Sequence, residues 1–182
     1  TAQGYRALFS NTTASYNTAV GYQAAYSITG SQYNTAIGRG ALYSHTTGNG
    51  GNVAVGYDAN RSLTTGSNNV SVGANAAYAM TTGLYNVALG GNALRSNTTA
   101  SNNTAVGYNA GYSNTTGIQN LFVGSDAGYA NTTGSGNTYV GRGDSVAAGV
   151  LMTTGSKNTI IGGYTGNQGG LDIRTSSNNI VL

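Results

Sequence analysis

Apolar residues recur along this chain at fixed places within a short polar frame. The phrase Asn-x-x-(Val/Ile/Leu)-Gly returns from end to end, with its asparagine at Asn17, Asn34, Asn52, Asn69, Asn86, Asn103, Asn120, Asn137 and Asn158. A truncated copy starts at Asn179, so the successive spacings are 17, 18, 17, 17, 17, 17, 17, 21 and 21 residues. Position 4 of the unit holds Val20, Ile37, Val55, Val72, Leu89, Val106, Val123, Val140 and Ile161, and a glycine always follows. Position 8 is alanine in seven consecutive full units, from Ala24 to Ala127. Strand geometry puts positions 2 and 4 on one face and position 3 on the other. The constant size of position 4 predicts that these aliphatic residues stack inside, with the alanine of position 8 against a close opposite wall.

A helical repeat runs about 33 to 47 residues and is built from good helix formers. Here the unit is half as long and rich in Gly, Asn, Thr and Ser, which disfavour helix interiors. The pattern predicts an all-β protein, a parallel β-solenoid of about ten coils stacked roughly 4.8 Å apart. Residues 1–136 form the regular 17-residue part, and residues 137–182 continue it with 21-residue units. Their extra residues, near 145–151 and 162–172, must leave the stack as loops, because stacked strands cannot lengthen without losing register.

Identical asparagines one coil apart can bond up the stack as a ladder. That assigns Asn17 through Asn158 a structural role, and sequons such as Asn11-Thr12-Thr13, Asn97-Thr98-Thr99 and Asn114-Thr115-Thr116 follow from the repeat itself. A Val/Ala interior buries little area per coil, so the array needs lateral association or caps. Tyr26, Tyr43, Tyr78, Tyr112 and Tyr129 at position 10, with Tyr22, Tyr57 and Tyr108 at position 6, are the candidate interface or binding face. Arg61 and Arg95 replace Tyr at position 10, where a guanidinium can lie on neighbouring rings.

Composition narrows the functions. Charged residues make up 6 %, and Pro, Cys, Trp and Glu are absent. Six Arg, one Lys and four Asp give a net charge of +3 without any basic run, which points away from nucleic acid. No stretch is long and apolar enough to span a membrane, and without cysteine there are no disulfides or thiolate metal sites. The chain opens inside a repeat with no initiator Met or signal peptide, which predicts a segment of a longer protein.

Catalysis needs a base beside a nucleophile, paired carboxylates or a metal cluster. His45 falls at position 12, where other units carry Asn, Ile, Leu or Met, and is expected as an exposed corner residue. Asp58, Asp126, Asp144 and Asp172 are scattered; Asp58 and Asp126 share position 7 but lie four coils apart, about 19 Å. No enzyme, cofactor or metal is expected. Arg142-Gly143-Asp144 matches an integrin-recognised tripeptide by three residues only.

The phrases Asn17-Thr18-Ala19-Val20-Gly21, Asn34-Thr35-Ala36-Ile37-Gly38 and Asn103-Thr104-Ala105-Val106-Gly107 resemble the head repeats of YadA-like trimeric autotransporter adhesins. The longer phrase 103–117 resembles the repeats of phage tail-fibre and related bacterial surface proteins, where such arrays often precede a self-cleaving trimerisation chaperone domain. The resemblance covers essentially the whole chain. It implies a left-handed β-roll or triple-stranded β-helix, assembled as a homotrimer outside the cell or on a virion. The implied function is a structural and adhesive fibre segment that attaches to a glycan or protein receptor on a host cell surface. The unit is longer than that of the adhesin heads, so strand and corner placement do not transfer, and no stalk, anchor or chaperone lies within these residues. Two rival functions are an ice-binding solenoid, using a stacked Thr row such as Thr64-Thr65 through Thr132-Thr133, and a subunit that stacks end to end into a filament.

Overall fold

The computed structural model describes residues 1–142 and 146–182. Its strands are β1 (Ala2–Gln3), β2 (Thr18–Val20), β3 (Thr35–Ile37), β4 (Val53–Val55), β5 (Val70–Val72), β6 (Val87–Leu89) and β7 (Thr104–Val106). Then come β8 (Leu121–Val123), β9 (Thr138–Val140), β10 (Thr159–Ile161), β11 (Asn167–Gln168), β12 (Leu171–Asp172) and β13 (Ile180–Val181). Among the described residues there is no helix. β1 to β10 and then β13 stack as one parallel sheet of eleven strands, each paired to the next in register, so the chain is a parallel β-solenoid. The longer units stay in this stack: β9, β10 and β13 pair in sequence, and part of the second insertion leaves it as the antiparallel hairpin β11–β12.

Strands β2 to β10 are each three residues long, so one side chain points in and two point out. The inward residue is position 3, not position 4. Ala19, Ala36, Ala54, Ser71, Ala88, Ala105, Phe122, Tyr139 and Ile160 are buried in one row. The expected interior row lies on the outer face: Val20, Val55, Leu89, Val106, Val123 and Val140 are half-buried. Ile37, Val72 and Ile161 are 40 %, 38 % and 50 % exposed. In most coils the strand wall has room only for a small side chain, and it widens where Phe122, Tyr139 and Ile160 stand. Alanine fits there, opposite the alanines of position 8 and the larger residues of positions 9 and 12. β-branched residues suit the pleated outer surface equally well.

The interior is filled by exchange between positions. In the coils of Ala36 and Ala88, position 9 carries Leu42 and Leu94; beside Phe122 and Tyr139 it is glycine, at Gly111 in the coil before Phe122, at Gly128 in the Phe122 coil and at Gly149 in the Tyr139 coil. A Cβ on Gly111 would stand 2.6 Å from the Phe122 ring, and one on Gly149 would stand 2.6 Å from Tyr139. Close packing of this kind makes cores sensitive to single methylenes. Position 12 is also interior. Ile28, His45, Leu63, Met80, Asn97, Asn114, Asn131 and Met152 are fully buried, so His45 is a core residue and not an exposed corner.

Corners explain the Gly and Asn content. The glycine of position 5 has φ near +130°, and at Gly21 an added Cβ would sit 2.6 Å from the Gly38 carbonyl oxygen. Positions 7, 9 and 17 are left-handed in coil after coil, including Asp58, Asn75, Asn92, Asn109 and Asp126 at position 7. Asn and Asp tolerate that conformation better than other side chains.

Candidate functional site

Asparagine at position 1 closes each coil and joins it to the next. Asn103 Oδ1 accepts from the Asn120 main-chain N–H at 2.9 Å and from its Nδ2 at 3.1 Å. Asn103 Nδ2 donates back across its own coil to the Gly117 carbonyl at 2.9 Å. The pattern runs from Asn17 to Asn179, and all the ladder asparagines from Asn17 to Asn158 are buried. A second, interior ladder links Asn97, Asn114 and Asn131, with Asn131 Nδ2 donating to Asn114 Oδ1 at 2.9 Å. Asn97 and Asn114, two of the sequon asparagines, are therefore sealed in the core. The signal for this ladder is Asn repeated at position 12 in three consecutive units.

The aromatic rows stack on themselves. At position 10, Phe9–Tyr26, Tyr26–Tyr43 and Tyr112–Tyr129 have ring centroids 5.0 to 5.2 Å apart. Arg61 lies over Tyr43 at 4.8 Å, and Arg95 sits between Tyr78 at 5.4 Å and Tyr112 at 5.7 Å, bonding the Tyr112 hydroxyl at 3.1 Å. Tyr26, Tyr43, Tyr78 and Tyr112 are half-buried, and Tyr129 is slightly more open. Stacking takes up ring faces along this row, which then presents hydroxyls, ring edges and guanidinium edges. At position 6, Tyr22 stacks on Tyr5 at 5.3 Å, Arg39 covers Tyr57 at 5.1 Å, and Tyr108 is exposed.

Position 2, with Thr18, Thr35, Val53, Val70, Val87, Thr104, Leu121, Thr138 and Thr159, shares the outer strand face with the aliphatic row of position 4. Two apolar or threonine rows thus run the length of the sheet without a charged side chain. On the Thr corner, position 13 is spent internally: Thr64 donates to the Thr81 carbonyl at 3.0 Å and Thr115 to the Thr132 carbonyl at 3.0 Å. From Thr46–Thr47 onward the first threonine of each pair is half-buried, and the second, as in Thr65, Thr82, Thr99 and Thr116, stands in solvent.

The ionisable groups stand alone or in small ion pairs. His45 Nε2 meets Ser31 Oγ at 2.7 Å, while burial pushes the imidazole down to about 4, opposed in part by the Thr64 main chain. Its Nδ1 makes no hydrogen bond of good geometry. Burial likewise raises the Tyr139 phenol above its ordinary range. Asp58 pairs with Arg61 at 2.8 Å and faces Arg39 at 3.6 Å. Asp126 accepts from Asn109 at 3.0 Å. The Arg174 guanidinium bonds Asp172 at 2.9 and 2.7 Å and holds its carboxyl at about 2. Among the described residues, no three His, Cys, Asp or Glu side chains gather closely enough for a metal ion, and no helix could cross a membrane. Of the integrin-like tripeptide, Arg142 is exposed, while Gly143 and Asp144 lie outside the described residues. The chain matches no protein-family model, no curated protein and no solved structure.

Proposed function

We propose that the chain is a non-catalytic segment of an extracellular or virion-surface fibre, a homotrimeric shaft or head that supports attachment to a cell surface. The observation that carries the reading is the outer strand face. Nine rungs of half-exposed Val, Ile, Leu and Thr form a straight strip, and Ile37, Val72 and Ile161 are its most open members. Contiguous apolar strips on soluble proteins mark association surfaces, and a charge-free strip is what an interface core requires. Copies of one chain offer the same rung spacing to each other, so the aliphatic rows of neighbouring rods meet in register. On this reading the association surface is formed by positions 2 and 4 rather than by the tyrosine rows.

An ice-binding role ranks lower. Its candidate threonines are halved by the main-chain bonds of position 13, leaving a row one residue wide. The chain has no cysteine, which makes single-cysteine variants clean probes. Val106→Cys should be linked between copies by a short bismaleimide, whereas Ala105→Cys, buried one residue away, should stay unreactive in the folded protein. Alkylation of Val106→Cys without any linked chains would remove the shared face and with it the trimer.

A further inference from the structure

Every charged side chain in the first 130 residues lies on one edge of the rod. Arg6, Arg39, Arg61 and Arg95 are far apart in sequence, and with Asp58 and Asp126 they complete the set. They occupy positions 6, 7 and 10, and contacts join these positions into one surface. Arg6 lies over both Tyr5 at 5.2 Å and Phe9 at 5.1 Å, and Asp58 bridges Arg61 and Arg39. The edge carries a net of two positive charges. Each arginine places its guanidinium carbon 4.8 to 5.4 Å from an aromatic ring centroid. Arg39 and Arg95 each spend one N–H on a tyrosine hydroxyl and Arg61 one on Asp58; the remaining N–H groups of each fork can meet a carboxylate or sulfate. Counted in coils, the arginines are two, one and two apart, or about 10, 5 and 10 Å. Phenol hydroxyls stand between them.

We infer that this arginine–tyrosine edge binds a linear acidic polysaccharide lying along the rod. The inference rests on the adhesive reading above and names its ligand class. Single-stranded nucleic acid is the competing linear polyanion, and the edge suits it poorly. Nucleic-acid channels stack bases on open aromatic faces, while faces in these rows are taken by neighbouring rings and guanidinium groups. Tight phosphate binding also neutralises many closely spaced charges, and here four arginines are partly offset by two carboxylates. A sugar chain of low charge density, rich in hydroxyls, matches sparse cations separated by phenols.

The test is binding of the whole chain to four immobilised polymers: a carboxylated polysaccharide, a sulfated one, neutral dextran and oligo-thymidine. The two acidic arms separate uronate from sulfate as the source of the anion. The parent is expected to bind at least one acidic polysaccharide, more weakly as salt rises, and to ignore dextran. Arg6→Gln with Arg95→Gln removes both net charges without touching the Asp58 pair, and should weaken binding about tenfold or more while the thermal melt keeps its midpoint. Arg95→Lys keeps the charge but loses the planar stack, and should fall between the two. The proposal is overturned by equal binding to dextran, by tighter binding to oligo-thymidine, by an unchanged double variant, or by no acidic binding. Failure to bind in a protein that is still trimeric would sink this edge alone. Binding by a monomer would leave the edge standing and sink the fibre.

Discussion

Exchanging Ala105 for Phe and Leu94 for Gly together should move the packing of one coil into the coil before it. Phe122 fits because position 9 is glycine both in its own coil, at Gly128, and in the preceding one, at Gly111. Ala105 already has Gly111 in its own coil; only Leu94 in the preceding coil blocks a ring. Ala105→Phe alone overfills a fully buried site, which costs about 1–3 kcal/mol. Leu94→Gly alone opens a cavity worth about 2–5 kcal/mol, reduced by about 1 kcal/mol because φ at Leu94 is +49°, where glycine is unstrained. Added as independent changes, the pair would lose about 2–7 kcal/mol. The structure instead predicts a double variant within about 1.5 kcal/mol of the parent, its new ring packed on Phe122 as Phe122 packs on Tyr139, with centroids 5.5 Å apart. Urea unfolding of the four proteins followed by circular dichroism closes the cycle. Additivity within about 0.5 kcal/mol would refute the interior described here.

That exchange is also the part of the fold the sequence carried but that a reading by residue size passes over. The repeat, the parallel stacking and the role of Asn103 and its equivalents follow from spacing and from the hydrogen-bonding capacity of an amide. The alternation of positions 2, 3 and 4 follows too, yet it leaves open which face is inside. Taking Val106 and its equivalents inward on the strength of their bulk fails because the opposite wall already fills the coil, so that Ala105 suffices on the strand side. The decisive signal is internal: Phe122, Tyr139 and Gly111, Gly128, Gly149 change together between copies. Position 12 misleads for a related reason. Ile28, His45, Leu63, Met80 and Asn97 differ chemically, but an interior slot in a stack needs only a compatible neighbour above and below. Arg6, Arg39, Arg61 and Arg95 form no basic run in sequence, and only the stacking of coils assembles them.

Two further outcomes follow from buried polar groups. Asn103→Ala leaves the Asn120 main-chain N–H without a partner inside the rod and takes one of two donors from the Gly117 carbonyl, which keeps Asn114 Nδ2, and should cost about 1–3 kcal/mol in urea melts; a loss below about 0.5 kcal/mol would show the ladder to be incidental. His45 is neutral in the folded rod and protonates near 4, against 6.5 when unfolded. The unfolded chain therefore binds the extra proton as pH falls from 6.5 to 4, and stability present above 6.5 is lost across that window, by about 3 kcal/mol. His45→Leu, borrowing the Leu63 side chain of the next coil, should flatten that slope; an unchanged slope would place the titration elsewhere.

The mass of the protein in solution tests the central claim most directly. Sedimentation equilibrium at micromolar concentration should give three times the 18.3 kDa chain mass. Ile37→Asp with Val72→Asp, which charges the outer strand face while leaving the buried row intact, should bring it down to one chain with the β-sheet spectrum retained. A parent that sediments as a single chain, or a double variant that stays trimeric, would contradict the account.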